Sequence, residues 1–244
     1  METYKKNFLT NVLVQVNFAP ILSIAEGVPS VFQDLIREKL PRAETSKKFS
    51  VVLTGPEVKQ NSATTHWQFW SEDRTRVAAL DSGSITYERT KYTSYASFKE
   101  ELSYVLTAFE SVYKPSIISR IGLRYINQIH LAGNPFDWDS YIHANLVAGL
   151  STFGGDSSCI ARLMSQMFLV HDDAKILFQY GIFNTEFPNR ISKKEFVLDY
   201  DCFNEDECGF SVISSKVDHF NDIVCGLFEQ SIGEKMRELL REAE

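Results

Sequence analysis

Residues 117–131 alternate apolar and polar side chains for longer than any other stretch of the chain. Successive side chains of a strand point to opposite faces, so Ile117, Ile121, Leu123, Tyr125, Ile129 and Leu131 share one face and Arg120, Gly122, Arg124, Gln128 and His130 the other. Such a strand belongs in a sheet with one packed side and one polar side. Val12, Val14, Val16 and Phe18 alternate with Gln15 and Asn17 in residues 11–18, which predicts a second strand of the same kind.

The rest of the chain is read from periodicity and breakers. A helix is expected over 28–40, with Pro29 or Ser30 in its first turn. Short strands follow at 49–54, 66–71, 77–81 and 85–88; Gly55-Pro56, Glu72-Asp73 and Ser82-Gly83 serve as turns. Phe98, Leu102, Val105, Leu106 and Phe109 fall at helical spacing, so 95–113 is an amphipathic helix stopped by Pro115. In the second half, Asn134-Pro135 opens a helix at 138–150, and Gly154-Gly155-Asp156 is a loop. Residues 160–170 and 174–183 form a hairpin around His171-Asp172-Asp173, 195–201 is a strand, and 216–242 a long terminal helix.

The order strand, helix, strands, helix thus occurs twice, in residues 1–115 and 116–244. Phe109-Glu110 matches Phe228-Glu229, and Val77-Ala78-Ala79-Leu80-Asp81 matches Phe196-Val197-Leu198-Asp199. The expected fold is α+β, antiparallel sheet with helices packed on one face, in two similar halves that suggest an internal duplication. No Pro/Gly/Ser-rich linker separates the halves, so a single compact unit is expected over 1–244. A chain of 244 residues, 44% hydrophobic and 23% charged, buries roughly 70% of its unfolded surface without needing metals or disulfides.

Net charge is −7, which disfavours nucleic acid and anionic membranes as partners. It is unevenly spread: residues 1–120 hold 15 basic and 13 acidic side chains (+2), and 121–244 hold 10 and 19 (−9). Asn11, Gln15 and Asn17 interrupt the apolar residues after Lys5 and Lys6, so no export signal is expected, and no stretch reaches the roughly 18–20 apolar residues of a membrane span. Cys159, Cys202, Cys208 and Cys225 follow no zinc spacing and read as buried thiols. A cytoplasmic location is therefore expected.

There is no phosphate-binding glycine loop, no G-x-S-x-G elbow and no paired-histidine metal spacing among His66, His130, His143, His171 and His219. The acidic run from Asp199 to Glu207 lacks the glycine and the final glutamate of a calcium loop, and reads as a strand ending in a solvated turn. No metal and no cofactor is expected. The candidate binding residues are Arg120, Arg124, Gln128 and Gln15, all on polar strand faces. The two arginines lie about 13 Å apart at strand rise. As a functional surface they would present donor forks to an anion or a partner. As structure they pair with acidic neighbours or lie flat on the sheet, with Gly122 relieving crowding, and this second reading is favoured.

The string Arg120-Ile121-Gly122-Leu123-Arg124-Tyr125-Ile126-Asn127 resembles a sporadically distributed bacterial family of uncharacterised proteins of about 250 residues. The segments Asn17-Phe18-Ala19-Pro20, Tyr92 to Phe98, Leu198-Asp199-Tyr200-Asp201 and Phe228-Glu229-x-x-Ile232 resemble it too, so the likeness spans nearly the whole chain. The resemblance implies a bacterial cytosolic protein, patchily distributed, and carries over no catalytic residue. A non-enzymatic binding or regulatory module is the favoured reading, acting through its polar sheet face on a protein partner or as a homo-oligomer. The alternatives are an enzyme whose site is assembled from distant residues such as His66, His130, Asp81 or Asp199, and an antitoxin-like or immunity-like protein whose acidic half meets a basic target.

Overall fold

The computed structural model describes residues 4–48, 51–54, 57–60, 64–151 and 159–242. The fold is α+β, built on one nine-stranded antiparallel sheet. In chain order its strands are β1 (Leu9–Phe18), β2 (Arg42–Lys48), β5 (Thr64–Trp70), β6 (Arg76–Asp81), β7 (Ser84–Arg89), β8 (Ile118–Leu131), β9 (Leu163–His171), β10 (Ala174–Ile182) and β11 (Lys194–Asn204). They lie side by side as β2-β5-β6-β7-β1-β8-β11-β10-β9, while β3 (Val51–Thr54) and β4 (Glu57–Gln60) pair as a separate hairpin. The helices are α1 (Leu22–Glu26), α2 (Ser30–Ile36), α3 (Tyr95–Tyr113), α4 (Ala144–Val147), α5 (Ile213–Ser231) and α6 (Glu234–Arg241).

The chain divides into two compact units, and neither is one continuous segment. Unit A comprises Leu13–Gly122 and Glu205–Val217; unit B comprises Met1–Val12, Leu123–Asn204 and Asp218–Glu244. Strands β1 and β8 each begin in one unit and end in the other.

In unit A, α3 follows from its pattern: Phe98, Leu102, Val105, Leu106 and Phe109 are all buried. The Ser94 hydroxyl caps its start by accepting the Ser97 N–H at 3.2 Å. Phe109 packs on Phe18 of β1 with ring centres 5.0 Å apart, and Phe98 on Tyr87 of β7 at 5.6 Å. Phe32 of α2 joins the same cluster through Phe69, 5.5 Å away. A carboxylate ties the helix to the strands: Glu101 accepts from Arg76 at 3.0 Å, from Arg89 at 3.3 Å and from the Tyr87 hydroxyl at 2.6 Å. Burial and this neighbouring carboxylate push the Tyr87 phenol well above its usual range.

In unit B, Leu123, Tyr125 and Ile129 of β8 are buried on one face, with Phe196, Leu198 and Tyr200 of β11 buried likewise. Tyr200 stacks on Phe178 of β10 at 4.5 Å, and its hydroxyl donates to Ser231 of α5 at 2.8 Å. The Tyr125 hydroxyl donates to Asn221 of α5, also at 2.8 Å.

Several expectations change: the helix expected over 28–40 is α2, Ser30–Ile36, and Arg42–Lys48 form β2 where the pattern signals no strand. Ile117 lies outside β8 and is 42% exposed, since the strand begins at Ile118. Residues 138–150 are not one helix: α4 occupies Ala144–Val147 and a 3₁₀ turn Ala148–Ser151. The terminal helix is broken into α5 and α6 at Gly233. A Cβ at Gly233 would sit 2.2 Å from the Ser140 carbonyl oxygen, so only glycine lets these two stretches approach. In the strand order, β7 lies beside β1 and β11 beside β8. The match of 77–81 with 196–199 therefore joins strands that occupy different places, whereas Phe109-Glu110 and Phe228-Glu229 do lie on α3 and α5. The turn at Gly55-Pro56 and the loop at 154–156 fall outside the described residues.

Lys114 ends α3 in the left-handed region at φ 45°, a conformation that costs an L-residue roughly 1 kcal/mol. Lys114→Gly should stabilise the protein by about 1 kcal/mol, read as a melting temperature about 2–4 °C higher. The cysteines are not all buried as expected: Cys159 is exposed and Cys208 half-buried, while burial pushes the Cys202 thiol up to about 12 and the Cys225 thiol up to about 11. Iodoacetamide at neutral pH should label Cys159 well before Cys202 or Cys225, as mass mapping of the peptides will show.

Candidate functional site

The four candidate residues fall into two groups. In unit A, the Arg120 guanidinium donates to the Gln15 side-chain oxygen at 3.3 Å across β8 and β1. It also lies over Gly122: a Cβ there would stand 2.5 Å from its Nη1 and 3.0 Å from its Cζ. The missing side chain leaves the room that the arginine fills. In unit B, Arg124 and Gln128 line a depression of about 480 Å³ on the polar face of β8, β11 and β10.

The floor of that depression is an ion pair. Arg124 donates through Nε to Asp199 Oδ1 at 2.8 Å and through Nη2 to Oδ2 at 2.6 Å, the fork-to-carboxylate geometry that arginine alone provides. The Asp199 side chain is 9% exposed and that of Arg124 37%. Register extends the polar row outwards, because Asp199 is opposite Gln179 on β10 and Gln179 is opposite Gln166 on β9. The Gln179 amide donates to the Gln166 oxygen at 3.2 Å.

A second carboxylate closes the far end. Glu195 is buried and accepts the Thr185 N–H at 2.7 Å and its hydroxyl at 3.3 Å, and His130 Nδ1 lies 3.9 Å away. Met164 and Phe183 form an apolar rim. With His130 neutral, the lining groups sum to one negative charge, one arginine against Asp199 and Glu195. Gln128 and His130 are exposed residues of its lining.

Of the distant residues named for an assembled site, two meet in unit A. His66 Nδ1 lies 3.7 Å from Asp81 Oδ2, and His66 is buried. Asp81 also accepts the Gly83 N–H at 3.0 Å and the Ser84 hydroxyl at 2.9 Å, which is how a turn is held between β6 and β7. The other two, His130 and Asp199, both line the depression in unit B. Sequence reasoning did not pick out Glu195, Gln179 or Thr185. Only the alternation of β11, with Glu195, Val197 and Asp199 on one face, carried a signal for the first of them. Among the described residues, no group of three or more His, Cys, Asp and Glu side chains is placed to hold a metal ion. No described helix is long and apolar enough to cross a membrane.

Arg124→Ala should destabilise the protein by about 2 kcal/mol, because it leaves the Asp199 carboxylate desolvated and unpaired. Arg124→Lys should recover part of that loss, since lysine restores the charge but not the fork. Chemical denaturation of the two variants beside the parent checks both statements. The chain matches no protein-family model and has no significant match among curated proteins.

Proposed function

We propose that this chain is a non-enzymatic binding module of the bacterial cytoplasm, and that the depression in unit B takes an uncharged or basic polar segment of a protein partner. The observation that carries this reading is the charge state of the depression. Asp199 engages the Arg124 fork through both oxygens, and Glu195 adds a further negative charge, so an entering anion meets a site that is formally −1. The reading of the arginines as an anion surface is thereby weakened. A cationic or neutral hydrogen-bonding segment is favoured, with Gln128 and His130 as its first contacts. The acidic balance of residues 121–244, 10 basic against 19 acidic side chains, favours the same sign of partner. An immunity-like or antitoxin-like role on a basic target is one form of this function.

We also infer an internal duplication. What supports it is the strand order: β1-β7-β6-β5 and β8-β11-β10-β9 run in the same sense from the middle of the sheet outwards, each set followed by a long helix, α3 or α5. An enzymatic reading has one observation behind it, the His66–Asp81 pair. Its separation of 3.7 Å is longer than a hydrogen bond, and the aspartate's role in the turn accounts for its placement.

The test is a titration of isotope-labelled protein followed by NMR, with hexalysine and inorganic phosphate as separate probes. Hexalysine should shift amides around Gln128 and Val197, and the combined change Gln128→Ala and His130→Ala should weaken it about tenfold without lowering the melting temperature by more than about 2 °C. Phosphate binding that depends on Arg124, with no response to hexalysine, would sink the proposal and reinstate an anion site.

A further inference from the structure

The nine-stranded sheet has two edges, β2 and β9. An edge strand presents unpaired N–H and C=O groups along its outer side, and proteins guard such edges with charge, proline or cover. On β2, Arg42 and Glu44 are exposed, and Glu44 pairs with Arg74. β9 is built differently. From Leu163 to Val170 it has no charged residue and no proline, and Met164, Met167, Phe168 and Val170 are 39%, 37%, 57% and 74% exposed. β10 pairs with its inner side from Leu163 to His171, and among the described residues no strand takes its outer side.

We propose that the outer side of β9 pairs antiparallel with β9 of a second copy of this chain, about a two-fold axis at Met167. Directly opposed residues in a sheet point to the same face, so a two-fold pairing must place one residue opposite its own copy. Among the central choices, the axis at Met167 is the one that matches charges. It brings Arg162, just before the strand, to the level of Asp172, the first residue of the turn after it, and does so at both ends of the pair. An axis one residue either way sets Arg162 opposite Val170 or Ala174 instead.

The side chains agree with this register. On the polar face, Met164 meets Val170 and Gln166 meets Phe168; on the other, Met167 meets its copy and Ser165 meets Leu169. All four exposed apolar residues acquire uncharged neighbours. A chain with net charge −7 repels its copy at long range, so an uncharged strand with opposite charges at its two ends is where a copy can approach. This self-complementarity is the reason to assign a second copy rather than an unrelated strand, and it stands independently of what the depression binds.

Sedimentation of the purified full chain tests the assembly. A dimer is expected, and Arg162→Asp, which sets aspartate against aspartate at both ends, should raise its Kd about tenfold or more. Adding Asp172→Arg to the same chain should restore the dimer, although it does not restore the stacking of Arg162 on Phe183 and Phe187. In a Cys159→Ser background, Met167→Cys should give a covalent dimer on mild oxidation, since opposed strand residues lie within disulfide reach. All the altered positions are exposed, and far-ultraviolet circular dichroism verifies that the variants fold. A monomer at every concentration overturns the proposal. So does a dimer that ignores the charge exchange and leaves Met167→Cys uncrosslinked.

Discussion

A carboxylate held away from water by an arginine fork sets the terms for unit B. Asp199 is 9% exposed, and desolvating an unpaired carboxylate costs several kcal/mol, so β11 is stable beside β8 only where Arg124 reaches it. Period two then does the rest. With Arg124 committed to the polar face, Leu123, Tyr125 and Asn127 must enter the core, where all three are buried. A slip of one residue would strand Asp199 and turn Tyr125 away from its hydrogen bond with Asn221. The pair selects register more than it adds stability.

Unit A uses the same device between a helix and its strands. Glu101 gathers Arg76, Arg89 and Tyr87, so the rotation of α3 that buries Phe98 and Phe109 is also the one that satisfies the carboxylate. In both units a charged group inside the fold penalises wrong arrangements, while aromatic packing supplies the apolar burial.

What was legible in the sequence was whatever depends on near neighbours. The faces of β8, the extent and buried stripe of α3, and the hairpin around Asp172-Asp173 follow from alternation, helical spacing and a turn pair within a few residues. What was not legible depends on residues far away in the chain. Gly233 breaks the last helix because Ser140, distant in sequence, presses against it. The 138–150 segment has enough apolar residues for a helix, yet Trp138 is drawn onto Phe196, and its indole N–H onto the Pro135 carbonyl. Of the site, Arg124 and Gln128 stood out as polar members of an alternating strand. The sign of the depression did not, because it rests on the partners Asp199 and Glu195, which only the strand order brings beside them.

The contrast between the two edges of the sheet bears on how such a molecule behaves in a crowded cell. A sheet with two open edges can grow without limit, whereas one with a charged edge at β2 and an uncharged one at β9 has a single growing end. On the proposed pairing, two growing ends that meet about a two-fold axis consume each other. The proposed pairing confines the hazard of an unguarded strand to a closed pair, and the polymerisation that an exposed apolar edge invites then has no second step.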